Sequence, residues 1–118
     1  MGYRSEVAIA LTSEAAKKLL VLQDFCPELK QLIDDADDQW NFDEDSIRLN
    51  ADAKFHWSYV KWYDSYTEIQ QMETFLYNIL DDDSDYLLLR VGEDTEDMET
   101  QGHYWESDMY IQRSISLW

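Results

Sequence analysis

Residues 3–22 read YRSEVAIALTSEAAKKLLVL, and the spacing of their apolar side chains changes once. From Val7 to Leu11 every second residue is a large apolar one, which predicts a β-strand over residues 3–11. Thr12 or Ser13 can then cap a helix, since both side chains accept hydrogen bonds from free backbone N–H groups. The opening of the chain therefore predicts a strand followed at once by a helix.

Two helices are predicted from apolar residues that recur at spacings of three and four. The first stripe contains Leu19, Leu22, Cys26, Leu29, Ile33 and Ala36. Pro27 lies inside it, so either the helix kinks there or Pro27 begins a second short helix. The second helix is predicted to begin at a capping box, Ser65–Glu68. Its apolar stripe contains Ile69, Met72, Phe75, Leu76, Ile79 and Leu80.

Further strands are predicted in three segments. Residues 47–59 alternate between apolar and polar side chains, and Asn50–Lys54 has turn-forming composition, so a hairpin is favoured over one long strand. Residues 86–91 form a nearly continuous apolar run, as in a buried central strand. Residues 109–117 alternate again and predict a final strand. Asp34–Asp45 is predicted to be an acidic connector.

The predicted order is strand, helix, two strands, helix, two strands. It indicates an α+β fold: an antiparallel-rich sheet of about four to five strands, with two main helices on one face and ferredoxin-like character. Residues 1–118 are predicted to form a single domain, because 118 residues is close to the commonest domain size.

The charge of the chain is strongly negative and unevenly distributed. There are 26 Asp plus Glu residues against 9 Lys plus Arg, a formal net charge of -17. Residues 1–33 are neutral, so residues 34–118 carry the whole excess. Such a charge steers a protein toward positive partners. The uneven distribution favours a negative face over a uniform coat.

Several classes of protein are disfavoured. A lone cysteine, Cys26, excludes an intrachain disulfide. No signal peptide or membrane-spanning apolar run is recognisable, which predicts a cytoplasmic protein that does not bind membranes. The sequence lacks a phosphate-binding glycine loop and a serine nucleophile elbow, and His56 and His103 are isolated. We therefore expect no enzyme, no cofactor and no metal site.

Two acidic clusters flank the predicted strand 86–91, and together they are the principal candidate site. They contain Asp81, Asp82, Asp83, Asp85, Glu93, Asp94, Glu96, Asp97 and Glu99. Calcium binding is disfavoured because the EF-hand ligand spacing is missing. A pair of catalytic carboxylates is a second interpretation, but it has little support, because in so acidic a chain almost any two acidic residues can be paired. A third interpretation is that the clusters mimic nucleic-acid phosphates and occupy a basic groove on a partner.

Aromatic residues beside these acids are candidate anchors of an interface. Trp62, Tyr63 and Trp105 border acidic positions, and Trp and Tyr are enriched at the centres of protein interfaces. In proteins that bind single-stranded nucleic acid, aromatic side chains stack on bases, but the surface around them is basic. Direct binding of nucleic acid is therefore disfavoured here.

Three segments resemble short, mostly uncharacterised acidic bacteriophage proteins: Met1–Leu11, Val60–Tyr66 and Arg90–Asp94. The resemblance implies a phage or prophage origin and defines no catalytic residue. By analogy, many small acidic phage proteins inhibit host defence enzymes, including restriction and CRISPR complexes, and some do so by DNA mimicry.

Charge, aromatic residues and resemblance together predict an acidic, phage-encoded inhibitor that binds a basic nucleic-acid-binding protein of a host defence complex, of the anti-CRISPR or anti-restriction type. DNA mimicry would be its mechanism, and the host cytoplasm its location. The alternative is a small structural or assembly domain that acts as a homo-oligomer. Such a homodimer would pair through an exposed strand or an aromatic patch.

Overall fold

The computed structural model describes residues 4–80, 83–93, 97–104, 110–111 and 115–116. The strands are β1 (Ser5–Leu11), β2 (Asp38–Trp40), β3 (Ala53–Val60), β4 (Tyr86–Gly92), β5 (Met98–Gly102), β6 (Tyr110–Ile111) and β7 (Ile115–Ser116). The α-helices are α1 (Ser13–Leu22), α2 (Pro27–Asp34), α3 (Glu44–Arg48) and α4 (Thr67–Thr74). A π-helical turn (Phe75–Ile79) continues α4, and a 3₁₀ turn (Asp83–Asp85) precedes β4.

The main sheet has five antiparallel strands in the order β2-β3-β1-β4-β5. β1 lies at its centre, where Ala8 pairs with His56 of β3 on one side and with Leu89 of β4 on the other. β2 and β5 form the two edges. The predicted α+β class and the predicted central position of residues 86–91 are confirmed. The ferredoxin-like character stays a prediction.

The helices pack on one face of the sheet, as predicted. Their buried side chains join those of β1, β3 and β4 in one hydrophobic cluster. Its fully buried large side chains include Ile9, Leu11, Leu19, Leu29, Ile33, Phe55, Ile69, Met72, Phe75 and Leu76. The Trp57 indole N–H donates to the Leu32 carbonyl at 2.9 Å and so ties β3 to α2. We call this side of the sheet the helix face.

The opposite face of the sheet has a smaller core. It consists of Ala8, Ala10, Leu87, Leu89 and Tyr104. β6 and β7 pair with each other and lie close to β4, and β7 also lies close to β1. The C-terminal strands are therefore on the face that the helices leave free.

The first two helices begin as the sequence indicates. The Thr12 hydroxyl accepts from the Ala15 N–H at 3.3 Å and caps α1. Pro27 is the first residue of α2, so the second of the two alternatives for Pro27 is correct. The predicted capping box is wrong, because Tyr66 precedes α4 and makes no side-chain capping bond.

At the end of the helix that contains Ile79, the side chains do not continue the predicted apolar stripe. The Leu80 N–H bonds the Phe75 carbonyl, five residues back, at 3.0 Å. A turn with this spacing holds more residues than an α-helical turn, so the side chains after it rotate away from the predicted face. Ile79 is consequently 43% exposed.

The predicted hairpin within residues 47–59 is wrong. Asp43 caps α3 by accepting from the Ser46 N–H at 2.8 Å, so Glu44–Arg48 is helical. Asn50 has a positive φ of 61°, a conformation that Asn tolerates, and it lies in the turn between α3 and β3. Besides β1, β3 pairs with β2, which lies inside the predicted acidic connector.

The predicted final strand over residues 109–117 is also wrong. Two short strands, β6 and β7, occur instead, and they pair antiparallel with each other. A single alternating pattern cannot show such a reversal, because both strands of a hairpin share the period of two. Trp118, which follows the predicted final strand, lies outside the described residues.

Candidate functional site

An open cleft of about 590 Å³ lies on the helix face, and we call it the acidic cleft. Its walls come from the β3–α4 connection, from α4 with its π-helical turn, and from the β4–β5 end of the sheet. The lining residues are Trp62, Tyr63, Asp64, Glu73, Tyr77, Arg90, Asp97 and Glu99. Four of these are carboxylates, three are aromatic and one is a guanidinium.

The aromatic wall is fixed by packing against the core. Trp62 is only 8% exposed, and its ring lies 5.6 Å from the Trp57 ring. Tyr63 and Tyr66 are 5.1 Å apart between ring centroids, and the Tyr66 N–H donates to the Tyr63 carbonyl at 3.0 Å. The Trp62 indole N–H is buried and meets no acceptor in the part of the chain that the structure describes. The connection that carries Asp64 is therefore held in place on both sides.

The helical wall presents Glu73 and Tyr77, which are four residues apart and so lie on the same side of the helix. The Tyr77 hydroxyl is 3.5 Å from Glu73 Oε2, the limit of a hydrogen bond. Tyr77 also packs beside Tyr86 of β4, with 6.1 Å between the ring centroids. Both side chains are thereby directed toward the end of the sheet.

The positive charge in the acidic cleft is already neutralised. Arg90 Nη2 donates to Asp97 Oδ1 at 2.7 Å, Arg90 Nη1 donates to Asp97 Oδ2 at 3.1 Å, and Arg90 Nε donates to Glu99 Oε1 at 3.0 Å. A further bond joins Arg90 to the Ser5 hydroxyl at 3.2 Å. The hydrogen bonds that Arg90 donates to Asp97 are the largest factor, and they raise the pKa of Arg90. Two carboxylates thus bind one guanidinium, which leaves Asp64 and Glu73 without a cation from Arg90.

The negative charges of neighbouring carboxylates disfavour the ionisation of Glu73. Burial raises the pKa of Glu73 from 4.5 to about 7, and the charge of Asp64, its hydrogen bond to Glu73 and the charge of Glu99 add to the effect. Burial and the neighbouring Glu73 also raise the pKa of Tyr77. A hydrogen bond between two carboxyl groups requires a shared proton. Glu73 therefore keeps its proton to a higher pH than an ordinary carboxyl group does, and an incoming cation would displace that proton.

The structure brings four of the predicted site residues into this cleft: Trp62, Tyr63, Asp97 and Glu99. Other predicted residues do not line it. Asp85, at the other end of β4, accepts from the Thr12 hydroxyl at 3.3 Å, and Glu93 accepts from the Arg4 N–H at 3.0 Å. Asp83 lies in the 3₁₀ turn. Asp81, Asp82, Asp94, Glu96 and Trp105 lie outside the described residues.

Four residues of the cleft were missed from the sequence: Asp64, Glu73, Tyr77 and Arg90. A signal for one pair exists, since Glu73 and Tyr77 have helical spacing on the polar side of the predicted helix. Arg90 is the one charged residue in the apolar run 86–91. No local pattern could show that Asp64, in a loop, meets either of them.

The acidic connector Asp34–Asp45 forms a second negative surface around β2. All seven of its carboxylates belong to exposed residues, and they are Asp34, Asp35, Asp37, Asp38, Asp43, Glu44 and Asp45. Some have local partners, as in the 3.2 Å ion pair of Asp34 with Lys30. Because β2 and β5 are opposite edges of the sheet, this surface and the acidic cleft do not form one continuous site.

His56, which seemed isolated in the sequence, lies between two carboxylates on the face opposite the helices. Its Nε2 is 2.7 Å from Glu6 Oε2, and its Nδ1 is 3.0 Å from Asp38 Oδ2. Burial is the largest influence and lowers the pKa of His56, but the hydrogen bonds and charges of Asp38 and Glu6 outweigh it, so the pKa is raised overall. A ring with both nitrogens bonded to carboxylates favours the imidazolium and joins the edge strand β2 to β1.

The comparisons with known proteins give no family for this chain. No family model matches the sequence, and no significant match was found among curated proteins or solved structures. Within the described ranges, no three His, Cys, Asp or Glu side chains are grouped so that they could hold a metal ion. None of the described helices combines the length and the apolar character needed to cross a membrane.

Proposed function

We propose that this chain is an acidic inhibitor that binds a basic nucleic-acid-binding host protein, and that its acidic cleft takes a Lys or Arg side chain of that partner. The observation that carries the proposal is the unbalanced charge of the cleft. Four carboxylates line it, and its one guanidinium, Arg90, is bonded to two of them. Burial is the main cause of the raised pKa of Glu73, and the charges of Asp64 and Glu99 add to it.

An incoming cation would lie between Asp64 and Glu73. Tyr63 and Tyr77 line the same cleft, and the face of an aromatic ring attracts a cation by about 0.5–2 kcal/mol. A guanidinium suits the site better than an ammonium, because its planar donors can bond two carboxylates at once and stack on a ring. Binding would release the proton of Glu73.

The acidic connector would contribute at longer range. Its exposed carboxylates add to the field that draws a basic surface toward the protein, which raises the rate of association more than the final affinity. A surface that binds DNA phosphates through Lys and Arg would respond in the same way to these carboxylates. This is the physical basis for a mechanism by DNA mimicry.

The resemblance to short acidic phage proteins supports a partner within a host defence complex, such as a restriction or CRISPR enzyme, in the host cytoplasm. The chain would inhibit by occupying the groove in which the enzyme binds nucleic acid. The proposal assigns it no catalysis and no cofactor.

A capture experiment from host lysate at low salt tests the proposal. The baits are the wild type, the cleft variant Asp64→Asn/Glu73→Gln, and the control variant Asp24→Asn/Glu28→Gln, which removes two exposed carboxylates elsewhere. We expect the wild type and the control to capture a nucleic-acid-binding protein that double-stranded DNA and added salt displace. The cleft variant should bind it about tenfold more weakly, or worse, a loss of about 1.4 kcal/mol or more.

Two results would contradict the proposal. Equal capture by the cleft variant and the control would remove the cleft from the interface. A captured protein that DNA fails to displace would exclude mimicry.

The second candidate function is a small assembly domain that acts as a homo-oligomer. One observation favours it: Phe25 is 78% exposed and lies beside other apolar side chains.

A further inference from the structure

An apolar groove lies at the C-terminal end of α1, away from the residues that line the acidic cleft. It has a volume of about 380 Å³ and is lined by Val21, Leu22, Phe25 and Ile79, with the two lysines of α1 at its border. Phe25 is 78% exposed, Val21 59% and Ile79 43%. A contiguous apolar surface of this kind on a small protein marks an interaction site.

The backbone holds these apolar side chains outward. The Phe25 N–H donates to the Leu22 carbonyl at 3.0 Å, which fixes the turn after α1. The π-helical turn brings Ile79 to the surface beside it. The groove continues along α4 into a second depression of about 360 Å³ that shares Leu22 and Ile79 and includes Cys26. A partner could therefore bury a continuous apolar strip.

The border of the groove is positive, in a chain whose net charge is -17. Lys17 is 4.0 Å from Glu14, and both side chains are largely exposed, so this pair contributes little. Lys18 is exposed and makes no ion pair within the described residues. A basic partner would be repelled here, so the occupant of the groove should carry carboxylates beside an apolar side chain.

The chain itself carries such a surface on and after α3. Leu49 is 80% exposed and directly follows the helix. Glu44 and Asp45 lie in the first turn. Asp45 is 3.7 Å from the exposed Arg48, whereas Glu44 makes no ion pair among the residues described. This surface matches the groove in both respects, an exposed apolar side chain and a charge of opposite sign.

Within one molecule α3 contacts α1, the helix whose C-terminal end carries the groove. Two complementary surfaces on one chain can pair twice across a two-fold axis, each groove receiving the α3 of the other copy. We propose that a second copy of this chain binds in this way, with Leu49 beside Phe25 and with Glu44 and Asp45 facing Lys17 and Lys18. The dimer is independent of the function proposed for the acidic cleft.

Sedimentation equilibrium from micromolar to near-millimolar protein tests the dimer. It is done at about 0.15 M salt, where the screening length of about 8 Å limits the repulsion between two acidic chains. The wild type should dimerise. Phe25→Ser alters an exposed side chain and should weaken the dimer about tenfold or more. Lys17→Glu/Lys18→Glu and Glu44→Lys/Asp45→Lys should each be monomeric, because like charges then face each other.

Mixing the two charge-reversed variants gives the decisive result. Opposite charges face each other again in both halves of a mixed dimer, so an equimolar mixture should regain the wild-type mass. A wild type that stays monomeric throughout would overturn the proposal. So would a dimer that is indifferent to Phe25→Ser, or two reversed variants that stay monomeric when mixed while their circular dichroism matches the wild type.

Discussion

Replacing Glu73 by Gln is expected to stabilise the protein at alkaline pH. The folded state holds the Glu73 proton with a pKa of about 7, against an ordinary value of 4.5. Because the pKa is raised on folding, the stability that this proton contributes is fully present below pH 4.5 and is lost as the pH rises through 7. Gln carries no charge and keeps an amide N–H for the bond to Asp64, so the variant does not suffer this loss.

The magnitude follows from the difference between the two pKa values. Each pKa unit is worth about 1.36 kcal/mol, so a rise from 4.5 to about 7 sets an upper limit of about 3.4 kcal/mol. Glu73 is only partly buried, and solvent screens its interactions with Asp64 and Glu99. We therefore expect Glu73→Gln to raise the free energy of unfolding by about 1–2 kcal/mol above pH 7, and by little near pH 5.

Urea unfolding of both proteins near pH 5 and near pH 8 measures this difference. Glu68→Gln is the control, since Glu68 lies in the first turn of the same helix but outside the acidic cleft. It should show no comparable gain at the higher pH. A Glu73→Gln variant that is equally or less stable than the wild type at alkaline pH would refute the electrostatic account of the cleft.

Two further predictions concern the sheet. The pKa of His56 is raised on folding, so its contribution to stability is complete below 6.5 and lost as the pH rises through its folded pKa. The test adds His56→Gln to the Glu73→Gln variant and measures urea unfolding of both proteins. Between about pH 6 and pH 9 the free energy of unfolding should fall less in the double variant than in Glu73→Gln alone. An equal fall in the two proteins would contradict this. Gly102 has a φ of 89°, and a Cβ there would overlap the Tyr86 carbonyl. Gly102→Ala should cost about 2 kcal/mol or more in thermal unfolding, whereas the exposed Thr100→Ala should cost little, and equal effects would exclude the overlap.

The sequence predicts those helices and strands in which the apolar residues keep one spacing from end to end. β1 and β4 are apolar runs that end at changes of pattern, and α1 begins at a capping residue, Thr12. The prediction for residues 47–59 was wrong because two local features decide the structure there. Asp43 caps a short helix, and Asn50 has a positive φ, but neither feature changes the alternation of apolar and polar residues in the sequence. The segment is therefore the end of a helix, a turn and the start of a strand, although its alternation predicts strands throughout.

The acidic cleft was predicted only in part, for a different physical reason. Acids and aromatic residues can be nominated from the sequence, as Trp62 and Glu99 were. Which acidic side chains form ion pairs depends on the pairing register of the strands. Arg90 of β4 lies opposite Glu99 of β5, and its hydrogen bond to Glu99 neutralises that predicted carboxylate. The charge that remains belongs to Asp64 and Glu73, which only the packing of α4 against the sheet brings together.

The uneven charge of the sequence has a structural counterpart that explains why two kinds of partner are proposed. The neutral first third of the chain supplies β1, α1 and α2, and two of its lysines, Lys17 and Lys18, border the apolar groove. The acidic remainder supplies the cleft and the connector. The cleft and the groove therefore carry different side chains and opposite signs of charge. Since no residue lines both surfaces, a dimer would present two clefts at once, and a basic partner with two binding positions would gain in avidity from that arrangement.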